Sequence, residues 1–281
     1  MMELSQSTYY YRPKVPRNDR EQADAELRDR IEVLQAEYSS WGYRTLKAQL
    51  QRVYGQQVNS KRLLRVMRRY GLFRGIKQRF IRTTDSEHGF TVYPNRLKGL
   101  EVTAVNQVWV ADITYIRIVT GFVFLAVLLD VFSRRVIGWS IGKRIDHHLT
   151  LEALRMAFRM RNPGAGLIHH SDRGMQYACG QYVKELQEHE TMISMSAKGS
   201  PYDNAYAESF FKTLKKEEVY LWEYESFIDV AERIPEFIEQ VYNKKRVHSG
   251  IQYLPPEEFE AIVQDHQRKQ SLGQVTLKLH G

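Results

Sequence analysis

Cysteine occurs once in 281 residues, at Cys179, so no disulfide can form within the chain and a reducing compartment suits it. Nothing near Cys179 marks it as activated, and it reads as a packing residue. Long apolar runs are also missing. The longest, residues 122–129, falls far short of the roughly 20 residues that a membrane span needs. No basic-then-apolar leader opens the sequence. These absences predict a cytoplasmic protein with no membrane partner. Acidic residues are absent over one stretch: between Trp41 and Arg82 there are twelve Lys and Arg and not one Asp or Glu. A solvated surface normally mixes signs, so the expected partner of this stretch is a polyanion.

The charge asymmetry divides the chain. Residues 1–100 hold 20 Lys and Arg against 10 Asp and Glu, whereas the rest hold 21 against 23. A basic front end joined to a near-neutral body suggests two domains, and 281 residues suffice for both. The expected organisation is an extended arm over 1–20, a basic helical DNA-binding domain over 21–82, a linker over 83–104, a catalytic core over 105–260 and a tail over 261–281. No function is read for the tail.

In the basic region, apolar spacing predicts helices over 24–38 and 43–54, with Leu27, Ile31 and Leu34 inward in the first and Leu46, Leu50 and Val53 inward in the second. Asn59 or Ser60 can cap a third helix to Tyr70, which Gly71 ends. On it, Lys61, Arg62, Arg65, Arg68 and Arg69 share an arc of about 120°. This reads as a helix-turn-helix-like module whose last helix lies on double-stranded DNA, through phosphate contacts.

The body opens with three β-rich runs over 107–118, 122–132 and 135–141, as in an antiparallel meander. Helices are expected over 148–160 and 176–189, with short strands ending at His170 and spanning 191–195. Two more helices carry Glu208 and residues 227–242, the last kinked or broken at Pro235. Mixed strands with helices on both faces predict an α/β layer architecture.

Three acids fall where structural use is least expected. Asp112 ends Val108-Trp109-Val110-Ala111 inside a strand, Asp172 follows a short apolar strand, and Glu208 lies in the first turns of a helix that Asp203 or Asn204 can cap. Gathered together, they would stay ionised only around cations, so they are the candidate catalytic and metal-binding residues. Hard oxygen donors without cysteine suit Mg²⁺ or Mn²⁺. Glu208, Lys212 and Lys215 fall within about 60° of one another on their helix, so the lysines can hold a phosphate backbone beside the acid. His169 and His170 point to opposite sides of a strand, and at most one can approach Asp172; a packing role is expected. Asp130 is read as holding Arg134 locally, and Asp203 as a cap.

The motifs Trp109-Val110-Ala111-Asp112-Ile113-Thr114-Tyr115, His170-Ser171-Asp172-Arg173-Gly174, Ser200-Pro201-Tyr202-Asp203-Asn204-Ala205 through Glu208, and Tyr242-Asn243-Lys244-Lys245-Arg246-Val247-His248 resemble those of the DDE transposases of two-frame bacterial insertion sequences. More broadly, they resemble the retroviral-integrase type of core. Thirty-five residues separate Asp172 from Glu208, and the likeness spans roughly residues 40 to 260. It implies a ribonuclease-H-like fold with a five-stranded mixed sheet, two metal ions, cleavage and 3′-OH strand transfer at element ends, and a copy-out–paste-in pathway with a circular intermediate. It also implies element-end and target DNA as partners, a homo-oligomer on DNA, a nucleoid-associated location when bound, and fusion to or partnership with a first-frame helix-turn-helix protein. The sequence shows no leucine-zipper heptads of the kind that first frame supplies. A non-cleaving DNA-binding regulator with an integrase-like core is the alternative reading, and a ribonuclease of the same fold is a third.

Overall fold

A computed structural model describes residues 17–73, 91–197 and 204–278. The chain forms two compact units that divide between residues 75 and 76.

The first unit holds three helices, α1 (Arg17–Glu37), α2 (Tyr43–Tyr54) and α3 (Ser60–Arg69). Helix α1 begins seven residues before the expected start, inside the stretch read as an arm. Leu27, Ile31, Leu46, Leu50, Leu63, Val66 and Met67 form one buried core, closed by Trp41, on which Tyr38 stacks. Val53, expected inward, is 56% exposed, and Gln49 takes the inward side of α2 instead. Gly55 then turns the chain at φ 64°, a left-handed value that suits glycine. Of the two candidate caps for α3, Asn59 is the one used, its side chain accepting from the Lys61 N–H at 2.8 Å.

The second unit is built on five strands: β1 (Val108–Ile118), β2 (Gly121–Asp130), β3 (Val136–Gly142), β4 (Ile168–Ser171) and β5 (Met192–Met195). Their order is β3-β2-β1-β4-β5, with the first three antiparallel and β1, β4 and β5 parallel. This is the expected mixed sheet. Alternate residues of β1 feed two cores. Trp109 and Ala111 join Ala126, Leu128 and Ile137 under helix α4 (His147–Arg161) and helices α5 (Met175–Ala178) and α6 (Gly180–Glu188). Val108, Val110 and Ile116 join Val123, Leu125 and Val127 under helix α7 (Ala205–Glu217) and helix α8 (Phe227–Glu236). Gly138 is needed for the first of these layers: a Cβ there would come within 2.2 Å of the Ala153 carbonyl oxygen on α4.

Three expectations change. The helix over 176–189 is two helices, because Cys179 adopts an extended conformation between them. Pro235 does not end the helical run; α8 continues to Glu236 and passes directly into π-helical turns over Phe237–Tyr242. Residues 91–104, read as linker, line the core: Arg96 donates from its backbone to Ser194 Oγ and from Nε to the Ile193 carbonyl, and Leu97, Leu100 and Val102 pack beneath. A last helix, α9 (Pro256–Lys278), runs through residue 260. Its buried Glu260 accepts from Arg135 and Arg161, tying it to the β2–β3 turn and the end of α4. Among the described residues no helix is long and apolar enough to cross a membrane.

Candidate active site

The β1–β4 register places the two aspartates. Val108 faces Ile168, Trp109 faces His169 and Val110 faces His170, a constant offset of 60 residues. The same offset sets Asp112 level with Asp172, just past the last pair, on the face where Val110 and Ile168 enter the core beneath α7. Helix α7 is fixed at the mouth of this gap by Asn204, whose Nδ2 donates to the Ala111 carbonyl at 3.4 Å. Asn204 occupies the cap position but makes no capping bond with its side chain, which is spent on β1. Asp203, the other cap candidate, lies outside the described residues.

Each aspartate is held by backbone. Asp112 Oδ1 accepts from the Ile113 N–H at 2.8 Å, and Asp172 Oδ1 from the Gly174 N–H at 2.9 Å. Gly174 leaves room for that turn, since a Cβ there would sit 3.0 Å from Asp172 Oδ1 and 2.6 Å from Gln176 Oε1. Burial pushes the Asp112 carboxyl up to about 8; the negative charge of Asp172 adds to this and that of Glu208 adds less, while Lys215 opposes them. Asp112 therefore feels both other acids and the lysine. Glu208 is exposed on the first turns of α7. Among the described residues no three His, Cys, Asp or Glu side chains converge tightly enough to hold an ion. The donor set nonetheless suits a divalent cation: it is all carboxylate, and it costs free energy to ionise without one.

Lys215 is half-buried, its Nζ lying 4.5 Å from the centroid of the Tyr115 ring on β1. Burial lowers its pKa and Asp112 raises it. Lys212, on the same side of α7, is exposed. The sequence missed Tyr115 as the lysine's partner, because the two residues meet across a hundred positions of chain.

The two histidines pack, on opposite sides as the strand requires. His169 shares a hydrogen bond with the Tyr182 hydroxyl at 2.9 Å and His170 with Ser194 Oγ at 2.8 Å. Burial, reinforced by His170, drives the His169 pKa down to about 3. A histidine held neutral in the fold but free to protonate when unfolded contributes stability that is complete above its unfolded pKa near 6.5. That stability is lost as pH falls from there toward 3. His169→Gln should therefore flatten the acid slope of stability by up to about 1.4 kcal/mol per pH unit, read from urea unfolding between pH 4 and 7. An unchanged slope would show that His169 protonates in the native state.

Asp130 does not hold Arg134 by its side chain. Its buried carboxylate accepts from the Asn106 N–H, the Ser133 N–H and the Ser133 hydroxyl, closing the β2–β3 turn, while the Arg134 guanidinium lies over the Tyr206 ring at 4.0 Å. In the first unit the basic arc of α3 is divided. Arg62 and Arg65 both donate to Asp24 of α1, at 2.9 and 2.7 Å, and Asp24 is only 4% exposed. Arg65 is still 61% exposed, and Lys61, Arg68 and Arg69 are exposed too, with Arg69 also over the Tyr70 ring.

A mixed β3-β2-β1-β4-β5 sheet with one acid inside β1, one just past the end of β4 and one on a helix beside them defines a ribonuclease-H-like, integrase-type core. Two integrase core domain families match residues 102–201 and 189–256, and an HTH-like domain family matches residues 21–80. The insertion element IS600 31 kDa protein of Shigella sonnei is 38% identical over 91% of this chain and 94% of its own length. The transposase for insertion sequence element IS904 of Lactococcus lactis is 38% identical over 73% of this chain and 82% of its own. Transposase InsF for insertion sequence IS3A of Escherichia coli is 39% identical over 74% of this chain and 73% of its own. The chain belongs to the insertion-sequence transposases with an integrase core domain, and transposase catalysis is its function.

Proposed function

We propose that Asp112, Asp172 and Glu208 are the catalytic carboxylates of a divalent-metal phosphoryl transferase that cleaves and rejoins DNA at the ends of its element. The observation that carries this reading is the parallel β1–β4 register, which continues toward Asp112 and Asp172, with α7 tied to β1 by Asn204 on the Ala111 carbonyl and by Lys215 over the Tyr115 ring. Asp112, Asp172 and Glu208 would hold Mg²⁺ or Mn²⁺, and two such ions would stabilise charge on the attacking and leaving oxygens of an in-line displacement. In the first reaction water adds to phosphorus as the P–O3′ bond breaks, leaving a 3′-OH; in the second that hydroxyl attacks a phosphodiester of another strand and releases its 3′-oxygen. Double-stranded DNA is the partner, with the exposed bases of α3 supplying phosphate contacts and a homo-oligomer holding two ends. The full chain should nick a labelled duplex carrying the element's end only with Mg²⁺ or Mn²⁺ present. Equal nicking in excess chelator would refute the reading, and binding without any nicking would favour the non-cleaving regulator.

Lys215 belongs to the same reading. Held on the Tyr115 ring beside Asp112, it has little freedom to lose when it meets a phosphate. Lys215→Ala should slow cleavage and strand transfer roughly tenfold to a hundredfold without weakening Mg²⁺ binding. The double change with Lys212→Ala should cost more than either alone. Wild-type time courses at both low and high ionic strength would leave Lys215 a surface lysine and nothing more.

A further inference from the structure

The proposed chemistry gives the motif Tyr242–His248 no task. Its side chains join the sheet to α7. Asn243 grips the first residue of β3 through both ends of its amide: the Val136 N–H donates to Oδ1 and Nδ2 donates to the Val136 carbonyl, each at 3.0 Å. Tyr242 sets its ring edge-on to Phe210, two residues past Glu208, at 4.8 Å. Arg246 donates from Nε and Nη2 to the two oxygens of Glu217, the last residue of α7, at 2.9 Å each. Its Nη1 donates to His248 Nδ1 at 3.2 Å, and His248 in turn lies edge-on to Tyr242.

Two features separate this set from ordinary packing. Arg246 and Glu217 are both largely buried, at 15% and 8% side-chain exposure. A buried ion pair seldom adds stability over apolar residues of the same size, and its best-attested use is to specify register. The holding points are also spaced along α7. Phe210 is gripped near its start and Glu217 at its end, seven residues apart, so helix rotation and axial position are both determined.

We infer that the Tyr242–His248 segment is a clamp that positions α7, and that Arg246, through Glu217, is a positioning residue that sets where Glu208 and Lys215 stand relative to Asp112. The inference rests on the proposed role of Glu208. Arg246→Lys keeps the charge but replaces two fixed hydrogen bonds with one swivelling contact. Misplacement of an acid by about an ångström can cost up to a hundredfold in rate. The full-length R246K chain should therefore cleave a labelled element-end duplex at least about tenfold more slowly in kcat with KM for DNA within about twofold. Its Mn²⁺ affinity without DNA, read by electron paramagnetic resonance of the free ion, should fall about fivefold or more. A folded R246K with wild-type kcat and Mn²⁺ affinity would overturn the clamp.

If R246K does not fold, the double variant E217M/R246M decides. Stability recovered and cleavage still absent supports positioning. Stability and cleavage recovered together, or no folding here either, would make the pair a stability device and overturn it. Glu208→Gln is measured alongside. Wild-type cleavage by E208Q would remove Glu208 from the reacting centre and so refute the proposed site, whereas defective E208Q beside a normal R246K refutes the clamp alone.

Discussion

Asp112→Asn, Asp172→Asn and Glu208→Gln are each expected to lower DNA cleavage by about a hundredfold to a thousandfold or more while DNA affinity stays within a few fold. The parallel register sets the two aspartates side by side, and Asp172 acts on Asp112 together with Glu208. Folding raises the Asp112 pKa from 3.8 to about 8, so ionising this group opposes folding as pH rises through that range, most fully above 8. Asp112→Asn removes that opposition yet can keep the hydrogen bond from the Ile113 N–H. The variant should then melt at or above the parent temperature at neutral pH while losing both Mg²⁺ binding and cleavage. Gain of stability with loss of activity separates a residue kept for chemistry from one kept for folding. Near-normal Mg²⁺-dependent cleavage by Glu208→Gln would sink the triad. A lower melting temperature for Asp112→Asn would mean that the Asp112 carboxylate is not under strain.

Substitution of the bases on α3 is expected to split into two phenotypes. Lys61, Arg68 and Arg69 are exposed, and changing all three to Ala should reduce the salt slope of duplex binding by about three, one for each phosphate left unneutralised, on every DNA sequence tested. Arg62 and Arg65 instead hold the buried Asp24 of α1. Arg62→Glu with Arg65→Glu leaves that buried carboxylate beside two more, so the helical unit should lose stability, though less than a fully buried pair would cost because Arg62 and Arg65 are 36% and 61% exposed. Circular dichroism with fluorescence-detected DNA titration across salt concentrations reads both. Equal loss of slope in both sets, with the fold intact, would put all five bases on DNA. An unchanged slope in the first set would turn α3 away from it.

The parity of β1 was legible from the sequence, because alternation alone puts Asp112 on the side of Val108 and Val110. Each helix of the basic unit could likewise be read from apolar spacing, and the absence of acids between Trp41 and Arg82 marked its partner. These are local properties, set by the 3.6 and 2-residue periods of the backbone and by composition. The three acids could be singled out by their positions on two strands and a helix start, and the resemblance to transposases added support for them.

Tertiary structure decided what local periods do not encode. The fixed offset between β1 and β4 that levels Asp112 with Asp172 arises from a crossover connection, and no spacing rule sets it. The five bases of α3 share one arc, yet a single aspartate 38 residues before Arg62 engages two of them in ion pairs. Lys215 found Tyr115, and Arg246 found Glu217, only because α7 lies across β1 and the turn after the π-helical segment reaches back to it. Composition and periodicity therefore determined which faces are apolar, basic or acidic. Which charge meets which depends on loop closure over tens of residues, and the energy that chooses the partner is the cost of leaving a buried charge alone.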